Sequence, residues 1–315
     1  MTGSPLPSAA PVSVAMAVLL TLAGCSGVPG AGGAFGGGGA TGTSTLTPVD
    51  VPAEGGAASA GGEVRAVGGR RLAPGLRTGG VRDPPALAAT HHDRLANRSF
   101  TRTDSRTVVD RNGTLLATRT ELEVRPGGTP FLVSRSAVAA SRYDGSRPPT
   151  DVTIYHDGLR AASRVVENGS VGYRIEDNVP PAAVEPDRTG RRVVGRLLTA
   201  FEWEVTRVEI GGEPHYQLAS DGLLDRGALS DVAGLDSPRD PEVRMLVGPD
   251  GRVERYRLQY GATVAGARVG VTETARWSAV DETLVEVPDW LGRALRERTG
   301  GARPGTATAS PTPVE

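Results

Sequence analysis

No lysine occurs anywhere in the 315 residues; all 35 basic side chains are arginine. Schiff-base chemistry on the chain and a phosphate loop that needs a lysine are therefore excluded. Coding bias of a GC-rich genome is the simplest account. Salt-loving archaea also replace lysine, but their large acidic excess is missing: 36 Asp and Glu leave a net charge of −1. A charge so near zero provides no global field to recruit nucleic acid. Aromatic residues make up 4% of the chain, too few for base-stacking platforms. The single cysteine, Cys25, excludes internal disulfides, a cysteine-based zinc site and a CxxC pair. Nothing around it would lower its thiol pKa for catalysis.

What is present at the ends is address and tether. Residues 12–22 (VSVAMAVLLTL) form an apolar run too short to span a membrane, and they read as the core of an export signal. The run ends at Leu22, Ala23, Gly24 and Cys25, which resembles the lipobox of secreted lipoproteins, where the signal is cut before the cysteine and the thiol receives a lipid. The residues before it (MTGSPLPSAAP) carry no arginine, unlike most export signals. Residues 26–80 are rich in Gly, Ala, Pro, Ser and Thr and read as a flexible tether. The expected organisation is a signal over 1–24, lipidated Cys25 with a disordered tether over 25–80, one domain over 81–298, and a disordered tail over 299–315.

Within the domain, Asp83 followed by Pro84 and Pro85 predicts a capped helix running to about Asn97. Beyond it the period turns to two. Segments 100–110 and 115–124 flank Arg111-Asn112-Gly113, a tight hairpin turn. Segments 131–143, 152–156, 159–166 and 171–175 continue the meander, with turns at Asp157-Gly158 and Asn168-Gly169. A helix over 188–201 then shows an apolar stripe of Val193, Val194, Leu197, Leu198 and Phe201, decorated by Arg188, Arg191, Arg192 and Arg196. Strands resume at 203–210, 215–219, 242–247, 252–260 and 269–277. Residues 221–236 read as a helical loop, 285–287 as a closing strand, and Pro288-Asp289-Trp290 as the start of a last helix.

The lipobox, Gly-rich tether, long meander, inserted helix and final VEVPDWL together resemble secreted lipoproteins of halophilic archaea, and through them the LolA/LolB and LppX/LprG group of lipoprotein and lipid carriers. The resemblance implies an α+β fold: a single curved antiparallel sheet, or half-barrel, with helices packed on its concave side around an apolar cavity. It implies no catalytic residue and no cofactor. The side chains that would line or gate the cavity are Val194, Leu197, Leu198, Phe201, Leu223, Leu224, Leu229, Tyr256, Leu258 and Trp277, with the 221–236 loop as gate.

Other clusters carry little chemistry. His91-His92-Asp93 is the most site-like, but adjacent helical side chains diverge by about 100°, so the two imidazoles do not share one metal. His91 falls on the core stripe, His156 sits beside a turn, and His215 has no evident partner. NGSVG lacks one spacer of a serine-hydrolase elbow, and the glycines at 30–39 follow no strand. Asn97, Asn112 and Asn168 each begin a glycosylation sequon. The arginines around 188–196 either rest against an anionic membrane or form an ordinary solvated face. The expected function is a membrane-anchored, extracytoplasmic, non-enzymatic carrier of lipid or lipidated protein, with no nucleic-acid partner, no metal and an open oligomeric state. The alternative is an envelope interaction module with a filled core.

Overall fold

A computed structural model describes residues 69–140, 150–233, 238–264 and 266–300. Cys25 and its lipobox neighbours Leu22, Ala23 and Gly24 lie outside them. The described chain is α+β, built on a large, curved and unclosed antiparallel sheet of eleven strands. Its first six strands are β4 (Phe100–Asp110), β5 (Gly113–Val124), β6 (Phe131–Ala139), β7 (Thr150–His156), β8 (Arg160–Glu167) and β9 (Ser170–Asp177). The other five are β10 (Glu204–Ile210), β11 (Glu213–Ser220), β12 (Arg239–Val247), β13 (Val253–Val264) and β14 (Ala267–Ser278). Each is a meander of hairpins, as the Asn-Gly and Asp-Gly turns predict. Gly113 takes the positive φ of 110° that the first turn needs.

The two meanders join where β14 pairs with β4, so the order is β10 to β14, then β4 to β9. This order places β9 and β10, consecutive in sequence, at opposite edges. At about 4.8 Å per strand the connection between them crosses most of a sheet roughly 50 Å wide. It does so over one face, as α2 (Pro181–Val184) and α3 (Arg191–Ala200). With α1 (Pro84–Leu95) and α4 (Arg226–Ala233), these helices define the inner face of the sheet. The cap expected on α1 is made: Asp83 Oδ1 accepts from the Ala86 N–H at 2.9 Å.

Several boundaries differ from expectation. Residues assigned to the tether include a small sheet of β1 (Arg71–Ala73), β2 (Leu76–Arg77) and β3 (Gly80–Val81), with Leu76 fully buried. A few anchored residues suffice to dock it, which composition averaged over 55 residues hides. The helix expected from 188 starts at Arg191, because Gly190 is left-handed at φ 79°. Residues 285–287 are not a strand: both flanks of β14 are already occupied, by β13 and β4. The chain instead turns at Ala279 and Asp281, both at positive φ, and runs as a strap. Asp281 N–H donates to the Ser99 carbonyl, and Thr283 Oγ1 lies 2.9 Å from Thr101 Oγ1. The strap leads to α5 (Leu291–Gly300), which docks on the outer face of β9. There Trp290 stacks on Tyr173 with centroids 6.1 Å apart, and Arg298 pairs with Asp177.

Candidate functional site

The inner face has an apolar part and a charged part. Most of the apolar part is the stripe read from the sequence. Val194, Leu197 and Leu198 of α3, with Phe201 just beyond it, are buried against Leu218, Met245 and Leu258 of the sheet, Leu87 and Leu95 of α1, and Leu229 of α4. Tyr256 and Trp277 belong to the same cluster, and Leu223 is half-buried beside Phe201, which it bridges. Leu224 is the exception at 67% exposed. Its N–H donates to the Ala200 carbonyl at the end of α3, and two adjacent leucines there cannot both face inward. The proposed gate is a helix over most of its described part, with Asp225 Oδ1 accepting from Ala228 N–H; residues 234–237 lie outside the described residues.

The charged part was not foreseen. Strand β4 directs Phe100, Arg102, Asp104, Arg106 and Val108 to one face, and that face is the inner one. The charges survive burial by pairing. Arg102 lies 2.7 Å from Asp104 and 4.0 Å from Glu185, and it donates to the Asp187 and Arg188 carbonyls of the crossing connection. Glu185 also binds Arg135 of β6 at 2.7 Å. Arg106 Nε lies 3.0 Å from Glu273, which accepts from Tyr260 Oη at 2.8 Å. Burial works against the charge of Arg102, but Asp104 and Glu185 outweigh it and raise its pKa. Burial pushes the Asp104 carboxyl up, and that of Glu273 up to about 7 despite Arg106. This cluster ties the inner connection to the middle of the sheet. Its one sequence signal is that Phe100 and Val108 share a period-two face with three charges.

His91 bridges helix and sheet, as its place on the stripe predicted. Its Nδ1 accepts from the Val253 N–H at 3.2 Å, so Nε2–H donates to the Thr189 carbonyl at 2.8 Å. Burial lowers its pKa to about 4. It packs edge-on against Trp277, with ring centroids 4.7 Å apart. A cavity of about 20 Å³, room for one water, lies among Arg102, Asp104, Gly190, Glu273 and Trp277. Trp277 Nε1 is buried without a hydrogen-bond partner among the described residues.

The remaining predicted residues are scattered. Asn97, Asn112 and Asn168 are exposed on separate loops. Arg188 does not decorate α3; its guanidinium sits 5.5 Å from the Phe131 ring centroid, while Arg191 and Arg192 face solvent. Among the described residues, no group of three His, Cys, Asp or Glu converges as a metal site.

No family model matches the chain, and no curated protein matches it. Solved structures do. LprF from Mycobacterium bovis aligns over 67% of this chain and 98% of its own, at 10% identity and a TM-score of 0.38. A LolA superfamily protein from Nitrosomonas europaea aligns over 65% and 94%, at 11% identity and a TM-score of 0.23. A DUF1329 family protein from Desulfovibrio piger aligns over 66% and 94%, at 10% identity and a TM-score of 0.25. None of these likenesses carries a function to this chain.

Proposed function

We propose that this chain is a non-catalytic carrier, exported and held at the outer face of a membrane by a lipid on Cys25. Its ligand is an apolar chain, of a lipid or a lipidated protein, taken up between the inner face of the sheet and α3 and α4. One observation carries the reading: the apolar stripe of α3 meets the sheet through side chains alone, and no strand ladder includes α3. The helical cover can therefore lift without breaking the sheet. An acyl chain entering beneath it would replace one apolar contact with another, at about 25 cal/mol per Å² on either side of the exchange.

A second reading is favoured by a specific observation. Val194, Leu197, Leu198 and Phe201 are at most 1% exposed and pack on one another, which suits an envelope interaction module with a filled core. Native mass spectrometry of protein purified from its source, followed by lipid extraction, separates the two. The carrier predicts a stoichiometric apolar ligand. A ligand-free mass, with no uptake of a fluorescent fatty acid, would sink it and leave the filled module.

A further inference from the structure

The outer face of β12 to β14 carries an arginine lattice unrelated to the inner cluster. In register, Arg244 of β12 stands opposite Arg257 of β13, and Arg255 of β13 opposite Arg276 of β14. Arg255 and Arg257 are two residues apart on one strand and share its face. All four are exposed around a shallow depression of about 420 Å³. Like charges directly opposite one another destabilise a sheet.

Carboxylates do not balance this lattice. Arg244 pairs with Glu242 at 2.7 Å, and Arg257 donates to the neutral Gln259 amide oxygen at 3.1 Å. Arg255 and Arg276 have no carboxylate within ion-pair distance among the described residues. The flanking positions are neutral: Thr103 opposite Arg276, Ser105 opposite Thr274, and Gln217 opposite Leu246. Beyond them, Glu121 opposite Thr103 is engaged by Arg119 at 2.9 Å, and Glu204 stands opposite Ala219, the neutral neighbour of Arg244. Leu246, opposite Arg255, is buried although it points outward, which is consistent with arginine stems lying across it. The guanidinium groups are thus held at the rim of an open, nearly neutral floor, in a chain whose net charge is −1.

We infer that this outer face is a docking surface for the phosphate-bearing surface of an anionic bilayer. Guanidinium forks match phosphate oxygens bidentately, and a phosphate layer would remove the mutual repulsion that the bare sheet tolerates. The surface is open and spread over three strands, which suits a plane of headgroups better than a single enclosed anion. The inference rests on the membrane-anchored reading above and adds an orientation to it: outer face toward the bilayer, α3 and its cover away from it. That orientation reverses the alternative in which the α3 arginines meet the membrane, since α3 covers the opposite face of the sheet.

The test uses the full chain bearing Cys25→Ser, so that no lipid anchor contributes. Co-sedimentation is measured with vesicles of phosphatidylcholine alone and with 30 to 40% phosphatidylglycerol, a range chosen to give a strong anionic surface. Binding is expected only to the anionic vesicles, to weaken at high salt, and to fall about 100-fold in R244Q/R255Q/R257Q/R276Q. The R191Q/R192Q pair on α3 should bind as the parent does, and circular dichroism should show both variants folded. Equal binding by the fourfold variant, loss confined to R191Q/R192Q, or binding to soluble polyphosphate but not to vesicles would each overturn the inference. Fatty-acid uptake by the fourfold variant is measured alongside. Lost vesicle binding by that variant with uptake intact confirms the patch, whereas absent uptake by the parent chain with its own vesicle binding intact counts against the carrier alone.

Discussion

His91 and Glu273 sit about the same buried connection and titrate in opposite senses. Burial lowers the His91 pKa to about 4 from an ordinary 6.5. The unfolded chain therefore holds the extra proton between those values, and the stability that His91 contributes above pH 6.5 is lost as pH falls toward 4. Burial raises Glu273 from 4.5 to about 7, so its contribution is full below pH 4.5 and is lost as pH rises through 7. Each shift is on the order of 3 kcal/mol, and in the parent protein they largely cancel between pH 4.5 and 6.5. Urea unfolding from pH 4 to 8 should expose each alone. Glu273→Gln, which mimics the protonated acid, should gain stability steadily from pH 4 to 6.5. His91→Gln should lose it from pH 4.5 to 7. Identical profiles for the two variants would contradict both assignments.

At the scale of elements, the junction between the crossing connection and α3 depends on Gly190. It adopts φ 79°, and a Cβ there would lie 2.5 Å from Cζ2 of Trp277. Gly190→Ala should therefore destabilise the fold by about 2–4 kcal/mol, through left-handed strain and displacement of the indole, measured by thermal or urea unfolding. A change within 0.5 kcal/mol would show that the ring moves freely. Hairpins and the α3 stripe were legible because turn chemistry and periodicity are local. The strap at 279–290 was not, since Val285 and Val287 look like any short apolar alternation. Only the occupied flanks of β14 deny them a partner. The burial of the β4 face was not legible for a similar reason. Period two groups Arg102, Asp104 and Arg106 correctly, but their burial depends on Glu185 and Glu273, 83 and 167 positions further along, reaching them through the fold.

For the whole molecule, the proposed anchor at Cys25 and the folded domain can be tested separately. Cys25 lies outside the described residues, ahead of Gly69, the first of them. Cys25→Ser should move the protein from the membrane fraction to the medium without changing its melting temperature. Retention at the membrane in high salt would refute the lipid anchor, since the outer arginines alone hold through screened charge.

By itself the sequence determined the class of the domain: the succession of strands, hairpin turns, one strongly amphipathic helix, and no lysine or cysteine chemistry in the folded part. These follow from side-chain periodicity and backbone preferences that act within about ten residues. Tertiary structure decided the rest. Pairing β14 with β4 sent β9 and β10 to opposite edges, forced the helical connection across the inner face, and so buried one set of arginines while aligning another on the outside. Both sets alternate along their strands in the same way. Which of them meets carboxylates and which meets solvent depends on what covers each face, and that is a property of the whole sheet.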